Sequence, residues 1–386
     1  MEASQTMKKL AAALLAATLL ALPVQAAPSA AAAPAVEAAG TVLMEKETGT
    51  ILQEQNAHDK LEPASVTKVM TLLLVMEAID SGSLSREDVV TVSARAASMG
   101  GSQVYLKEGE QMTVNDLLKA VAVASGNDAS VALAEHLCGS EEAFVVKMNE
   151  RAAQLGMGDT CFVNCTGLPA VGHLTSAYDI ALMSRELIRS HPSIRDYTTI
   201  WMDSLRDGQF QLANTNKLIR FYQGATGLKT GSTDSAGYCL SATAERDGME
   251  LIAVILKAPT RDARTAAAQA LLNYGFAAYT MVDIHPSQAL PPVEVLLGEQ
   301  EAVQPVLAQS TRILVSRDLV NQVETQLELC QDVEAPVESG QILGRMTVTA
   351  GGQTLARIPI VADRAVSRLS APGIFLRLVR TLLMAG

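Results

Sequence analysis

Ser65 and Lys68 stand three residues apart at the head of an apolar run, 66–79, that predicts a buried helix. Side chains at this spacing lie on one face of a helix, so the serine hydroxyl can meet the lysine amine. Such a pair can be a nucleophile with its base, as acyl transfer requires. It can also be a helix N-cap followed by a lysine that points into solvent. Taken alone, this stretch favours the cap.

Two further motifs change that interpretation. Ser125-Gly126-Asn127 ends a predicted helix, and Lys229-Thr230-Gly231 opens the stretch that leads into a late hairpin. Each motif occurs once, in the order Ser-x-x-Lys, Ser-x-Asn, Lys-Thr-Gly. This set is typical of serine β-lactamases and penicillin-binding proteins. Together the three motifs favour Ser65 as a nucleophile.

The chain resembles the low-molecular-mass penicillin-binding proteins, the D-alanyl-D-alanine carboxypeptidases of serine peptidase family S11. The resemblance covers nearly the whole chain after the first residues, and its middle motif is Ser-Gly-Asn rather than the Ser-Asp-Asn usual in class A β-lactamases. Thr160 stands four residues before Asn164, where a glutamate would be the obvious deacylating base. We therefore expect slow release of a bound β-lactam. The matching segments are PASVTKVMT, GSQVYLKEGE, ASGNDASVALAEH, FVNCTGL, TSAYDIALM, GLKTGSTDSAGYCL and LLNYGF.

The resemblance gives each residue of the first two motifs a task. Ser65 is expected to be the nucleophile, at a helix N-terminus whose dipole favours a developing anion. Lys68 is expected to accept its proton, so its pKa must be lowered, and burial and the charge of Lys229 would do this. Ser125 is expected to relay a proton between Lys68 or Lys229 and the leaving amine. Asn127 can hold either the substrate amide or Lys68.

The third motif is expected to bind the substrate's terminal carboxylate. Lys229 and Thr230 suit that anion, and Gly231 would let the peptide lie close to the strand. Arg264 stands where relatives carry an arginine that supports carboxylate binding, although Arg261 is close by. The alternative for Arg264 is a solvated arginine at the start of a helix.

The backbone N–H groups of Ser65 and Ser232 are the oxyanion hole that the resemblance implies. The implied reaction cleaves the D-Ala–D-Ala bond of peptidoglycan stem peptides through an acyl-serine, which water then hydrolyses. β-Lactams should acylate Ser65 because they mimic the acyl-D-Ala-D-Ala unit. No metal or organic cofactor is implied, and the histidines show no HExxH-type spacing.

Two other functions remain open at this point. A serine β-lactamase uses the same groups but deacylates quickly, so it would hydrolyse a chromogenic cephalosporin fast. A non-catalytic wall-binding protein would take no covalent label from fluorescent penicillin, and the intact motifs argue against it.

The N-terminal region predicts export. Lys8 and Lys9 precede an apolar stretch, 10–22, and a small-residue cleavage site near Ala26, which is typical of a secretory signal peptide over 1–26. Residues 27–39 are typical of a low-complexity linker. We expect an extracytoplasmic protein of the cell wall or periplasm, peripheral to the cytoplasmic membrane. The net charge of −11, without a basic stripe, argues against a nucleic-acid partner.

The apolar patterns predict an α/β (α+β) fold class. Residues 40–285 contain a first hairpin around 47–49, a helical middle and a strong hairpin signal at 246–248, followed by a helix. We expect an antiparallel sheet flanked by helices, as in serine β-lactamases and transpeptidases. Residues 286–365 have only short strand-like runs separated by turns, which predicts a second, small all-β domain.

The segment 372–386 is predicted to hold an amphipathic helix that runs from Ile374 to Ala385, after a break at Pro372-Gly373. Apolar residues fill one side, whereas Arg377 and Arg380 lie on the other. We expect this helix to anchor the protein on the outer face of the cytoplasmic membrane, because about twelve residues are too few to cross a bilayer. The alternative is a helix docked on its own β-domain.

Five cysteines make an odd number in a chain too large and cysteine-poor to be a disulfide framework. Most are expected to be isolated small apolar residues. Cys161 and Cys165 are close enough in sequence to pair or to share a metal, but no histidine stands beside them at ligand spacing.

Overall fold

The computed structural model describes residues 33–286, 288–308 and 311–384. The predicted signal peptide, 1–26, and the first part of the linker, 27–32, lie outside the described residues. The helices, in chain order, are α1 (Lys68–Asp80), α2 (Ala94–Ala97), α3 (Val114–Ala124), α4 (Asn127–Cys138), α5 (Glu141–Gln154), α6 (Ala177–Ser190), α7 (Arg195–Thr198), α8 (Leu218–Phe221), α9 (Arg261–Ala278) and α10 (Ala371–Met384).

The central element is a five-stranded antiparallel sheet in the order β2-β1-β9-β8-β7. Two smaller antiparallel pairs lie outside it: β3 with β4, which are separated in sequence by α2, and the hairpin β5–β6. The first β-turn falls at the predicted place, between β1 and β2, and the late hairpin joins β8 to β9. The strands are β1 (Gly40–Glu45), β2 (Ile51–Gln55), β3 (Val89–Thr91), β4 (Gln111–Thr113), β5 (Met202–Leu205), β6 (Phe210–Ala213), β7 (Ala225–Thr233), β8 (Gly237–Arg246) and β9 (Met249–Ala258).

Both faces of this sheet are covered, which explains why β9 is apolar almost without a break. Ile252, Val254 and Leu256 pack into the larger core with the helices of the middle of the chain. Alternate residues, such as Leu251 and Ile255, pack on the other face against α9. The predicted antiparallel sheet flanked by helices is therefore confirmed.

Helix α1 is buried on every side. Its residues from Lys68 to Met76 are at most 1% exposed, and they belong to the core shared with α3, α4 and α6. A helix that is apolar all round is typical of the centre of a domain. The start of α1, with Ser65 just before it, is therefore held rigidly from all directions.

From Tyr279 to Ala362 the described residues form nine strands around two small cores of their own. The strand β10 follows α9 directly and pairs with β14. The second, small all-β domain is confirmed. Its strands are β10 (Tyr279–Asp283), β11 (Val293–Leu296), β12 (Ala302–Val303), β13 (Pro305–Leu307), β14 (Arg312–Ser316), β15 (Val323–Leu329), β16 (Asp332–Glu334), β17 (Ile342–Ala350) and β18 (Gln353–Ala362).

The C-terminal helix α10 starts earlier than predicted. It begins at Ala371, and Pro372 and Gly373 form part of its first turn rather than breaking the chain before it. Proline is tolerated there because the first N–H groups of a helix have no partner within it. Phe375, Leu376 and Leu383 are at least 66% exposed. No helix in the described part of the chain combines the length and apolar composition needed to cross a bilayer.

All five cysteines lie in the described residues and are free thiols. Cys165 and Cys239 are buried, whereas Cys161 and Cys330 are exposed. Cys161 and Cys165 therefore form no disulfide. Cys165 and Cys239 both pack in the larger core, as expected of small apolar residues, but the Cys165 thiol also donates a hydrogen bond to Oε1 of Glu141 at 3.4 Å.

Candidate active site

Ser65 lies in a 3₁₀ turn, Ala64–Thr67, that leads directly into α1. Its hydroxyl does not cap the helix, so the N-cap interpretation is wrong. Oγ of Ser65 instead accepts a hydrogen bond from Nζ of Lys68 at 3.0 Å. Ala64, just before it, has φ +48°, a left-handed conformation that residues with a Cβ rarely adopt. In this turn the Ser65 hydroxyl therefore contacts the Lys68 amine and not a backbone N–H of the helix.

Lys68 is fully buried, and polar atoms satisfy its amine completely. Nζ donates to Oδ1 of Asn127 at 2.6 Å and to the carbonyl oxygen of Thr166 at 2.7 Å, besides its contact with Ser65. A neutral amine keeps two N–H bonds, which these two oxygens accept. Its lone pair then points at the remaining partner, the hydroxyl of Ser65.

Burial lowers the pKa of Lys68 to about 7, while the charges of Cys165 and Asp128 act in the opposite direction. Of the two causes predicted to lower this pKa, burial is present, whereas the charge of Lys229 is not among the causes. At Lys229 itself, burial lowers the pKa well below its usual value, and the charges of Lys68 and Arg264 add to the effect. Lys68 and Lys229 can therefore lie near each other because burial disfavours the charged form of both amines.

The carbonyl of Thr166 is a part of the site that the sequence motifs did not predict. Oδ1 of Asn164 accepts hydrogen bonds from the amides of Thr166 and Gly167, at 3.1 and 2.7 Å, and so folds this loop tightly. Thr71, on α1, donates its hydroxyl to the carbonyl of Cys165 at 2.7 Å. The Asn-x-x-Gly spacing within FVNCTGL was the available signal, because it is typical of an Asx turn.

The second motif lies between α3 and α4. Ser125 ends α3 in the left-handed conformation, with φ +65°, and Asn127 begins α4. Nδ2 of Asn127 donates to the carbonyl of Gly100 at 2.7 Å, which leaves Oδ1 facing Lys68. Of the two contacts expected for Asn127, the one with Lys68 is present.

The third motif lies on β7, the edge strand of the sheet. A Cβ on Gly231 would lie 2.8 Å from the backbone N of Ser65 and 2.9 Å from the carbonyl oxygen of Pro63. Glycine is thus required by the approach of the strand to the nucleophile turn, which is a different reason from the expected one. Thr230 donates its hydroxyl to that of Thr215 at 2.7 Å.

These elements surround a cleft of about 200 Å³. Lys68 and Asn127 lie behind Ser65, and Lys229, also buried, donates to the carbonyl of Thr230 at 3.0 Å. The structure therefore brings all nine predicted residues together. Six of them line the cleft: Ser65, Ser125, Thr230, Gly231, Ser232 and Arg264. Ser102 and Thr215, which the sequence motifs did not single out, line it too.

Arg264 is 5% exposed, so it is not a solvated arginine. Nη1 donates to the carbonyl of Cys239 at 3.4 Å, and Nε is buried without a partner. Burial, with the charge of Arg261, lowers its pKa to about 10, so it stays charged at neutral pH. Within the described ranges, neither Arg264 nor Lys229 forms an ion pair with a carboxylate. This end of the cleft is suited to an anion.

Comparisons with known proteins agree with this geometry. The family model described as D-alanyl-D-alanine carboxypeptidase, peptidase S11, matches residues 27–260. The model of the C-terminal domain of penicillin-binding protein 5 matches residues 279–368. The D-alanyl-D-alanine carboxypeptidase DacF of Bacillus subtilis is 42% identical over 342 residues, covering 86% of this chain and 87% of its own. DacC of Escherichia coli is 33% identical over 338 residues, covering 85% and 84%.

Solved structures give the same result. Penicillin-binding protein 5 of Haemophilus influenzae superposes with a TM-score of 0.78 at 30% identity, covering 87% of this chain and 99% of its own. Penicillin-binding protein D2 of Listeria monocytogenes, solved in its ampicillin-bound form, has a TM-score of 0.58 at 34% identity and covers 62% and 98%. The resemblance drawn from the motifs is confirmed. The chain belongs to the S11 family of D-alanyl-D-alanine carboxypeptidases and is a penicillin-binding serine hydrolase of that family.

Proposed function

We propose that this protein removes the terminal D-alanine from peptidoglycan stem peptides through an acyl-enzyme on Ser65. One observation carries the assignment of the nucleophile. The amine of Lys68 is fully buried, its pKa is about 7, and it lies 3.0 Å from the Ser65 hydroxyl. A lysine of this kind is neutral for about half of the molecules at neutral pH, so it can act as a general base.

Acylation begins with transfer of the Ser65 hydroxyl proton to Nζ of Lys68. Oγ forms a bond to the carbonyl carbon of the penultimate D-alanine, and the carbonyl oxygen takes up the negative charge. The N–H groups of Ser65 and Ser232 are the proposed donors to that oxyanion. The contact of Gly231 with the backbone of Ser65 supports this, because it brings strand and turn close enough for both N–H groups to serve one oxygen.

The C–N bond then breaks as the leaving amine receives a proton. We assign the relay to Ser125, which lines the cleft with Ser65. In this proposal Ser125 passes a proton from Lys68 or Lys229 to the leaving amine, and the proton taken from Ser65 by Lys68 restores the balance. D-Alanine departs, and the acyl group remains on Ser65. Water attacks this ester with Lys68 again as base, which releases the shortened peptide and restores the Ser65 hydroxyl. After one turnover Ser65 and Lys68 are back in their starting protonation states.

The terminal carboxylate of the substrate is proposed to bind at Arg264, Lys229 and Thr230. Arg264 has a buried Nε without a partner and a guanidinium that stays charged at neutral pH. A carboxylate placed beside Lys229 would favour the charged form of this amine and raise its depressed pKa. Substrate binding would therefore create an ion pair between the substrate carboxylate and the amine of Lys229.

β-Lactams are proposed to acylate Ser65, and the resulting ester is proposed to be hydrolysed slowly. Thr160, at the place of the missing glutamate, donates its hydroxyl to Oδ2 of Asp179 at 2.7 Å and offers no base. The competing function is that of a β-lactamase. Fast hydrolysis of a chromogenic cephalosporin would indicate that function, and slow hydrolysis would indicate a carboxypeptidase.

We further propose that the protein is exported, with a signal peptide over 1–26, a linker over 27–39, the enzyme domain over 40–285 and a β-rich domain over 286–365. The basic and apolar composition of residues 8–22 supports export. Peptidoglycan stem peptides lie outside the cytoplasmic membrane, so an enzyme that trims them must work there, in the cell wall or periplasm.

Helix α10, within 372–386, is the proposed anchor on the outer face of the cytoplasmic membrane. Phe375, Leu376, Val379 and Leu383 fall within an arc of about 100° at the angular step of a helix, and all four are exposed. Arg377 lies on the opposite side. An exposed apolar stripe favours lying in a lipid surface over docking on the β-domain. Its 14 residues correspond to about 21 Å, less than a bilayer core.

The test uses the purified protein and its Ser65→Ala variant. Mass spectrometry of muropeptides with a pentapeptide stem should show loss of one D-alanine with the unaltered protein only. Fluorescent penicillin should label the unaltered protein and not the variant. Labelling of Ser65→Ala at the same rate would show that another residue is the nucleophile, and rapid cephalosporin turnover would favour a β-lactamase.

A further inference from the structure

His173 lies buried between two segments that meet at the active site. Its ring is 2% exposed. Nε2 lies 2.8 Å from Oγ1 of Thr67, in the nucleophile turn, and Nδ1 lies 3.0 Å from the backbone N of Val163, in the loop that carries Thr166. The imidazole therefore contacts both the turn with the nucleophile and the loop that binds the base.

The directions of these hydrogen bonds follow from the groups themselves. The backbone N–H of Val163 can only donate, so Nδ1 of His173 must accept, and the hydrogen of the neutral ring is on Nε2. Nε2 then donates to the hydroxyl of Thr67, which donates in turn to the carbonyl oxygen of Ala64 at 2.9 Å. A protonated ring would direct a second N–H at Val163. Burial, which lowers the pKa of His173 to about 4, keeps the ring neutral.

This chain of hydrogen bonds ends on a residue in an unfavourable conformation. Ala64, at φ +48°, directly precedes Ser65. Its carbonyl oxygen is also packed against Gly167, where a Cβ would lie only 1.8 Å away. The left-handed turn is therefore fixed from one side by Thr67 and from the other by the loop. Without these contacts the backbone would relax toward φ values that residues with a Cβ prefer.

We propose that His173 and Thr67 are positioning residues for acyl transfer. Their hydrogen-bond chain locks the nucleophile turn against the loop of Thr166, and so fixes the approach of Ser65 to Lys68. The inference rests on the proposed role of Ser65 as nucleophile. Neither residue lines the cleft, so both act through the backbone of Ala64 and the carbonyl of Thr166.

The test compares variants that keep volume but change the hydrogen bonds. Thr67→Val removes the hydroxyl, whereas Thr67→Ser keeps it; His173→Phe removes both ring contacts. Thr175→Val is the matched control, because Thr175 is equally buried, lies two residues from His173, and directs its hydroxyl to Thr160 at 2.7 Å. For each variant, acylation by fluorescent penicillin is followed over a range of concentrations, which separates the first-order rate constant from the half-saturating concentration.

Thr67→Val and His173→Phe should each lower the first-order rate constant about 10- to 100-fold, with little change in the half-saturating concentration, since small misplacements of reacting groups have effects of that size. Thr67→Ser should recover most of the rate, and Thr175→Val should stay within about 3-fold of the unaltered protein because it leaves the reacting groups in place. Because one chain of bonds is broken in either case, the double variant should be no slower than the slower single variant.

The inference is overturned if Thr67→Val and His173→Phe acylate at the full rate and only their melting temperatures fall. It is also overturned if their rate losses multiply in the double variant, because the two residues would then act independently. Either result is obtained on a protein that does form the penicilloyl adduct. The proposed function would fail in a different way, namely by the absence of that adduct in the unaltered protein.

Discussion

The backbone of Gly231 lies so close to Ser65 that a Cβ on the glycine would be 2.8 Å from the serine nitrogen. Gly231→Ala should therefore push β7 away from the nucleophile turn and misplace one oxyanion donor. We expect a loss of about 10²-fold or more in the acylation rate, comparable to removal of one such donor. The rate is measured with fluorescent penicillin. Gly158→Ala is the control, because a Cβ there meets nothing within 4 Å; equal rates in the two variants would contradict this account.

Lys68→Arg should be nearly as damaging as Lys68→Ala. A guanidinium keeps the positive charge but does not lose its proton at working pH, so it cannot take the proton of Ser65. Both variants should lose about 10²- to 10⁴-fold in acylation. Lys229→Arg should lose less, since its proposed task is to bind a carboxylate. A Lys68→Arg enzyme that retains most of its activity would show that charge alone is needed.

Acylation should depend on pH through Lys68. Its pKa is about 7 because of burial, and the neutral form is the active one. The rate should level off above this pKa and fall about tenfold per pH unit below it. Asp128→Asn should move this acid limb to lower pH, because the Asp128 charge raises the pKa of Lys68. An acid limb near pH ~10, as for an ordinary lysine, would exclude Lys68 as a lowered-pKa base.

Removal of α10 should release the protein from membranes without changing acylation. A chain that ends at Ser370 keeps the backbone hydrogen bond of Leu369 to Leu297, so the β-domain should remain folded. Leu376→Glu with Leu383→Glu keeps the helix but breaks its exposed apolar stripe. Both proteins should fail to sediment with vesicles that bind the unaltered protein. Sedimentation of the truncated chain, or its unfolding, would contradict the anchor.

Much of the fold and the membership of the cleft could be predicted from the sequence, for a physical reason. The side chains of Ser65 and Lys68 carry recognisable chemistry at the spacing of one helical turn, whereas the place of Lys229 in the site is what the family resemblance implies. The strands of the sheet and the late hairpin follow from apolar runs and turn residues. At the start of α3, Thr113 accepts a hydrogen bond from the amide of Asp116 at 3.1 Å, as an N-cap threonine before an apolar run commonly does.

What could not be predicted depends on long-range contacts. The cap that residues 62–79 favour when taken alone is wrong, because Ser65 lies in a 3₁₀ turn before α1 and its hydroxyl accepts from Lys68 instead. Thr166 takes part through a backbone carbonyl, which every residue has, so its type gives no signal. His173 stands at no spacing typical of a metal or catalytic site. Its partner Thr67 is 106 residues away in sequence, and its contact with Val163, 10 residues away, is to a backbone N–H that belongs to no motif.

The burial of Lys68 and Lys229 has a consequence for thermodynamic stability. The folded protein binds these protons more weakly than the unfolded chain does, so between about pH 7 and pH 10.5 the free energy of unfolding should rise with pH. Lys68→Met should melt at a higher temperature than the unaltered enzyme at neutral pH, as calorimetry can measure, although it would be inactive. A lower melting temperature would mean that the hydrogen bonds of the amine outweigh its burial. On this account the buried, neutral Lys68 that catalysis needs lowers the free energy of unfolding, and a variant without this amine would be more stable but inactive.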